Sequence, residues 1–252
     1  MALQQEEMVD APAMAFQTLL MILVGVVVGV TSAVFILPTL LPGLSASLLG
    51  AEPKAYWYLS RTSGIVAYIL IWLSMSLGVM ITNKMARVWP GGPTAFDLHQ
   101  HTALLGFALS LFHALILMGD RYINYSLFEI LLPFTTSYEP LWVGLGQVGF
   151  YLLAIVSFSF YVRKQITRRV WRLIHYFSFL LFLFVLAHGV MSGTDSGTLW
   201  ATLMYWFTGA SLLFLTVYRI VVSVAGTPKK RPARKAKAAI KGGNSLNQAI
   251  AQ

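Results

Sequence analysis

Apolar residues in this chain run in long stretches broken by short charged or Pro/Gly-rich punctuation. The intervals without a charged residue hold 41 residues (Asp10 to Glu52), 22 (Arg61 to Lys84), 22 (Asp97 to Asp120), 23 (Glu139 to Arg163), 22 (Arg172 to Asp195) and 23 (Asp195 to Arg219). A helix crossing about 30 Å of hydrocarbon at 1.5 Å per residue needs about 20 mainly apolar residues. Six such intervals predict six spans, near 15–37, 63–82, 98–118, 141–161, 173–191 and 199–222. The first is preceded by Glu6, Glu7 and Asp10 and followed by Pro38 and Pro42, so it reads as an uncleaved helix and not as a signal peptide, which opens on basic residues. Leu41-Pro42-Gly43, Trp89-Pro90-Gly91-Gly92-Pro93, Leu132-Pro133 and Ser192-Gly193-Thr194 mark connections.

Composition sharpens this picture. Of 252 residues 57% are apolar and 11% charged, against about 25% charged in soluble domains. That excludes a soluble enzyme and a nucleic-acid-binding domain, and a β-barrel would show short alternating segments instead. Without cysteine there is no disulfide, iron–sulfur cluster, thiolate zinc site or covalently attached c-type haem. The net charge of +9 is explained by topology. With six spans, the side holding both termini collects fifteen Lys and Arg residues and the other side three, Lys54, Arg61 and Arg121. The bias predicts both termini in the cytoplasm, with a bacterial plasma membrane as the expected location. The expected layout is a cytoplasmic N-terminus (1–14), a first span with its outer loop (15–54), a six-span bundle completed by 55–222, and a basic tail (223–252) too polar and proline-rich to fold.

All five histidines fall on two spans: His99, His101 and His113 on the third, His175 and His188 on the fifth. Ionisable residues at membrane depth are rare and usually functional. His99 and His113 are 14 apart, about 21 Å of rise and only about 40° short of four turns, so they share a face near opposite leaflets. His175 and His188 are 13 apart, about 140° short of four turns, which calls for a bend, a change of pitch or a tilt. Both spans run the same way, which puts His99 level with His175 and His113 level with His188. Two facing histidines can supply both axial ligands of a haem iron. Two levels predict two haems stacked between the third and fifth helices of an all-α bundle. His101 competes with His99 as the cytoplasmic ligand of the third span, but it lies about 120° off the face of His113, so His99 is preferred and His101 is expected at the interface or beside a propionate. Gly106, midway between His99 and His113, either leaves room between macrocycles or allows close helix packing. Arg172, three residues before His175, and Arg61, at the outer end of the second span, either meet haem propionates or anchor the chain at the interface.

These residues resemble the ferric reductase-like transmembrane domain, the superfamily of ferric reductases, NADPH oxidases and the haem subunit of a methionine sulfoxide reductase system. The likeness rests on the histidine spacings of 14 and 13, on Leu98-His99, on Trp171-Arg172-Leu173-Ile174-His175 and on Arg61-Thr62-Ser63-Gly64, and covers about 55–222. The resemblance implies bis-histidine haem b carrying electrons across a membrane. No G-x-G-x-x-G fingerprint follows the spans, so a flavin or nicotinamide domain is expected on another chain. The expected donor is a quinol or a cytoplasmic flavoprotein, with a redox partner at the outer face and no nucleic acid. Rival readings are a scaffold subunit of a larger complex and a proton-coupled transporter; both predict a colourless protein.

Overall fold

The structure, a computed structural model, describes residues 12–43, 55–120 and 123–225, and all regular structure among them is helical. Residues 1–11, most of the loop expected before the second span (44–54), Arg121 and the basic segment after Ala225 lie outside the described residues. Six helices are long and apolar enough to cross a membrane: α1 (Phe16–Leu40), α2 (Ala55–Thr82), α3 (Gly92–Gly119), α4 (Pro140–Tyr161), α5 (Arg168–Ser192) and α6 (Leu199–Val224). By contacts the chain divides into Met1–Arg219 and Ile220–Gln252. The described part of the second unit is the last turn of α6, where the Ser223 hydroxyl donates to the Ile220 carbonyl at 2.8 Å.

Three helices begin earlier than hydropathy predicts. α2 starts at Ala55 with the aromatic run Tyr56, Trp57, Tyr58, residues suited to the membrane–water interface. α3 starts at Gly92 with Pro93 in its first turn, where the missing N–H costs no hydrogen bond. α5 starts at Arg168, capped by Thr167, whose hydroxyl accepts from the Val170 N–H at 3.3 Å. Hydropathy marks only the stretch lying in hydrocarbon, whereas backbone hydrogen bonding carries a helix on into the interface.

α1 contains a π-helical turn at Ser32–Ile36, and the cause is legible. Leu37 N–H bonds back to the Ser32 carbonyl, five residues away, which leaves the Ala33 carbonyl waiting for the next donor. That residue is Pro38, which has no N–H. Tyr56 supplies the donor instead, its hydroxyl bonding Ala33 O at 2.7 Å. The same contact ties α1 to α2 in a small apolar cluster with Val30, Leu115 and Ile116.

α2 packs along α3 and α4 along α5. The main core joins the helices midway along their length: Tyr68, Ile71, Met75 and Val79 from α2, Phe107 from α3, Leu153 from α4, Leu181 and Phe182 from α5 and Leu212 from α6. α6 is pinned by the Tyr68 hydroxyl to the Thr208 hydroxyl and by Trp72 Nε1 donating to Ser211 Oγ at 3.0 Å. Outer faces stay apolar, as with Leu203, Phe207, Leu213 and Phe214 of α6 and Val24, Val27 and Val28 of α1. An exposed apolar surface this extensive suits lipid as its solvent.

Candidate functional site

Two histidine pairs face each other on either side of the core. The ring centres of His99 and His175 are 6.0 Å apart with planes at 72°, and those of His113 and His188 are 6.2 Å apart at 74°. A metal–imidazole bond of about 2.0–2.1 Å, plus roughly 1.1 Å from nitrogen to ring centre on each side, sums to about 6.3 Å for two rings in a straight line on opposite sides of one metal ion. The separations therefore fit a single ion between each pair.

The rings are held by their far nitrogens. His113 Nδ1 lies 2.7 Å from the Ser60 carbonyl, His99 Nδ1 2.8 Å from the Ser74 carbonyl and His188 Nδ1 3.0 Å from the Trp142 carbonyl. A carbonyl only accepts, so each Nδ1 carries the proton and each Nε2 is left as a bare nitrogen able to bind metal. Serine hydroxyls strengthen two of these anchors. Ser60 Oγ donates to the His113 carbonyl at 2.9 Å and sits 3.0 Å from its Nδ1, and Ser74 Oγ repeats this at His99 with 3.0 Å for both contacts. His175 is held differently, stacked on Trp171 with ring centres 5.2 Å apart and planes at 24°.

Glycines make the space. A Cβ on Gly64 would lie 2.8 Å from the His113 ring, one on Gly146 2.7 Å from the His188 ring and one on Gly78 3.2 Å from the His99 ring. Real Cβ atoms essentially never approach below 3.0 Å, so any side chain at Gly64 or Gly146 moves the imidazole. α2 thus carries Ser60-x-x-x-Gly64 and, fourteen residues on, Ser74-x-x-x-Gly78, the same interval that separates His99 from His113 on antiparallel α3. Matching intervals on antiparallel helices build the same cradle twice. This repeat was the signal in the sequence for Ser60, Ser74 and Gly78. Trp142 and Gly146 left no comparable mark.

α5 is α-helical without interruption from Arg168 to Ser192, so no change of pitch compensates the 13-residue spacing. The surroundings of the two rings differ: His188 rests on Gly146 and Trp142 of α4, whereas His175 lies on Trp171 of its own helix.

Each pair opens on a cavity. The one at the His113 level measures about 340 Å³, and its lining includes Gly64, Phe150 and Val185; the one at the His99 level measures about 480 Å³, with Met75, Leu153 and Phe179 in its wall. Both fall in the range of small-molecule sites, about 300–1,000 Å³. Arg61 lines the first, with its guanidinium paired to Asp195 and 5.0 Å from the centre of the Trp57 ring. Arg172 lines the second together with Arg168 and Arg219, and donates to the Tyr176 hydroxyl at 3.2 Å. Trp171 Nε1 and Gln100 Nε2, also on that lining, are buried with no hydrogen-bond partner among the described residues. Donors and cations of this kind suit a ligand bearing carboxylates. Tyr125, in the connection after α3, lines the first cavity, and burial raises its phenol above the usual range, keeping it protonated.

His101 and Gly106 line neither cavity. His101 is exposed and its Nδ1 donates to the Asp97 carbonyl of its own helix at 2.9 Å. Gly106 lines neither cavity: a Cβ there would meet Ile71 Cγ1 at 3.2 Å, so this glycine serves close packing of α3 on α2 and not the space between ligands. Of the α5 phenylalanines Phe177, Phe179, Phe182 and Phe184, Phe179 lines a cavity, while Phe182 stacks on Tyr68 in the core. Among the described residues no group of three or more His, Asp or Glu side chains gathers to hold a metal ion; the pairs offer two nitrogens each. No protein-family model, curated protein or solved structure matches the chain.

Proposed function

We propose that this chain is a two-haem membrane cytochrome of the ferric reductase-like kind, passing electrons between the two faces of a membrane as one subunit of a larger oxidoreductase system. The observation that carries the reading is the pair of facing imidazole couples at 6.0 and 6.2 Å. At three of the four rings a main-chain carbonyl on Nδ1 leaves Nε2 as the ligating atom. His99 and His175 would hold one haem b and His113 and His188 the other. Haem iron, when bound, supplies the one-electron exchange.

The protein's share is to bind, orient and insulate. The carbonyl on Nδ1 fixes the imidazole tautomer and raises the basicity of Nε2. Gly64, Gly78 and Gly146 let the backbones approach the rings. Apolar walls keep water from the space between the helices. Arg172, with Arg168 and Arg219, would hold haem carboxylates at the His99 level, and Arg61 would do so at the His113 level from within its pair with Asp195. The Lys and Arg bias favours the His99 level as the cytoplasmic one and places both termini in the cytoplasm. The donor is a membrane quinol or a flavoprotein docking on the basic segment that includes Arg168 and Arg169, and the acceptor lies at the outer face.

A visible spectrum of detergent-purified protein with and without dithionite, together with haem per chain, tests the reading. Two non-covalent, low-spin haems are expected, since both axial positions are filled. A colourless protein would overturn the proposal and leave the scaffold and transporter readings. NADPH alone should leave the haems oxidised, while quinol or a reductase fraction should reduce them.

A further inference from the structure

We propose that Ser60 and Ser74 are positioning residues that set the reduction potential of the site at their own level, Ser60 through His113 and Ser74 through His99. The inference rests on the haem reading above and extends it to two cavity-lining serines that act through the histidine each one holds.

The argument starts from what each hydroxyl does. Both serines are buried, at 2% and 5% exposure. Each hydroxyl donates to the main-chain carbonyl of its histidine, at 2.9 and 3.0 Å, and each oxygen stands 3.0 Å from the Nδ1 of the same ring. The serine carbonyl lies nearer, at 2.7 and 2.8 Å. The Nδ1–H therefore faces two oxygens of one serine. The oxygen of a hydroxyl that is itself donating is a stronger acceptor, because hydrogen bonds in a chain polarise one another. Electron density drawn toward Nδ1–H strengthens Nε2 as a ligand, and a more basic axial nitrogen favours the ferric iron, with its higher charge, over the ferrous. Removing the hydroxyl leaves the carbonyl anchor in place, so the ring stays while its basicity falls.

The same helix carries its own control. Ser76, two residues from Ser74, is buried at 7% exposure, and its hydroxyl has no hydrogen-bond partner among the described residues. Loss of that hydroxyl removes a buried polar group without touching a histidine.

The experiment is a potentiometric titration of the haem-loaded, full-length protein followed at the haem bands, with haem per chain measured alongside. The His188→Ala variant identifies the component belonging to the His113 level. Ser60→Ala should weaken ferric relative to ferrous binding by about ten-fold, at the low end of what outer-shell changes cost. That raises the potential of the His113-level component alone. Ser74→Ala should raise the other component alone, Ser76→Ala should move neither, and Ser60→Thr, which keeps the hydroxyl, should return the potential toward the starting value. Unchanged potentials in Ser60→Ala and Ser74→Ala, an equal shift in Ser76→Ala, or one component moved by both serines would overturn the inference while leaving the two-haem reading intact. Absence of haem from the unsubstituted protein would overturn both.

Discussion

The His113 and His99 levels share one half of their construction and differ in the other. On the α2–α3 side both have a serine carbonyl on Nδ1, a serine hydroxyl on the histidine carbonyl, and a glycine against the ring. On the α4–α5 side they part. His188 donates to the Trp142 carbonyl and lies against Gly146. His175 is stacked on Trp171, and among the described residues no hydrogen bond reaches its ring. The rims differ as well. Arg61 is paired with Asp195, whereas among the described residues no acidic side chain pairs with Arg168, Arg172 or Arg219. A repeated interval on two antiparallel helices makes two sites alike. The helices without that repeat make them unlike, in how the second histidine is held and in local charge.

The largest effect should come from deleting a ligand. On the proposed haem reading, either His113→Ala or His188→Ala should lower haem from about two to about one per chain, and either His99→Ala or His175→Ala should do the same for the other band, because an axial histidine would be the metal's attachment. Spectra of the reduced variants would show whether the surviving bands differ between the two sets. Loss of both haems from a single substitution would contradict independent levels.

Next in size are the glycines. Gly64→Ala and Gly146→Ala each force a Cβ under 3.0 Å from an imidazole, while Gly78→Ala meets its ring at 3.2 Å. Overpacking of this kind costs about 1–3 kcal/mol, so the first two should deplete haem at the His113 level and Gly78→Ala should affect the His99 level more mildly. Haem retention on mild heating reads the order; an effect of Gly78→Ala as large as that of Gly64→Ala would break the comparison.

Trp171→Leu removes the stack beneath His175 and should weaken only the His99 level, by about 0.5–1.5 kcal/mol, the usual worth of an aromatic pair beyond its area. Ligand-exchange rate with added imidazole is the sensitive measure. Asp195→Asn should have the smallest effect. Arg61 is 32% exposed, so losing its partner should cost about 1 kcal/mol or less of thermal stability, with the His99-level spectrum unchanged.

The transmembrane pattern was legible in the sequence because bilayer hydrocarbon admits only helices and closed barrels and demands about 20 apolar residues per helical crossing. That requirement is written in consecutive residues, and six charge-free intervals show it without tertiary information. The helix ends were less legible, as at Ala55, Gly92 and Arg168, since hydropathy reports the solvent around a residue and not the continuity of its hydrogen bonds. Histidines at membrane depth were visible for the same reason, their cost in hydrocarbon making them stand out.

What only the tertiary structure decided concerns rotation and neighbours. Helical arithmetic placed His99 and His113 on one face, but it required a bend, a change of pitch or a tilt for His175 and His188, about 140° apart on an ideal helix, both to face α3. In the fold α5 keeps its α-helical pitch, both its histidines stand opposite α3 partners, and His188 lies against Trp142 and Gly146 of α4. Gly106 sits midway between two histidines in sequence yet turns to α2, because helix packing and not spacing sets its surroundings. Arg61 and Asp195 are 134 residues apart, and no local pattern announces their pairing. The sequence determined the spans, the six-helix count and which residues were unusual for a membrane. The fold decided which of them meet, because a side chain's partner depends on how whole helices rotate against one another, a quantity summed over many weak packing contacts and recorded in no single segment.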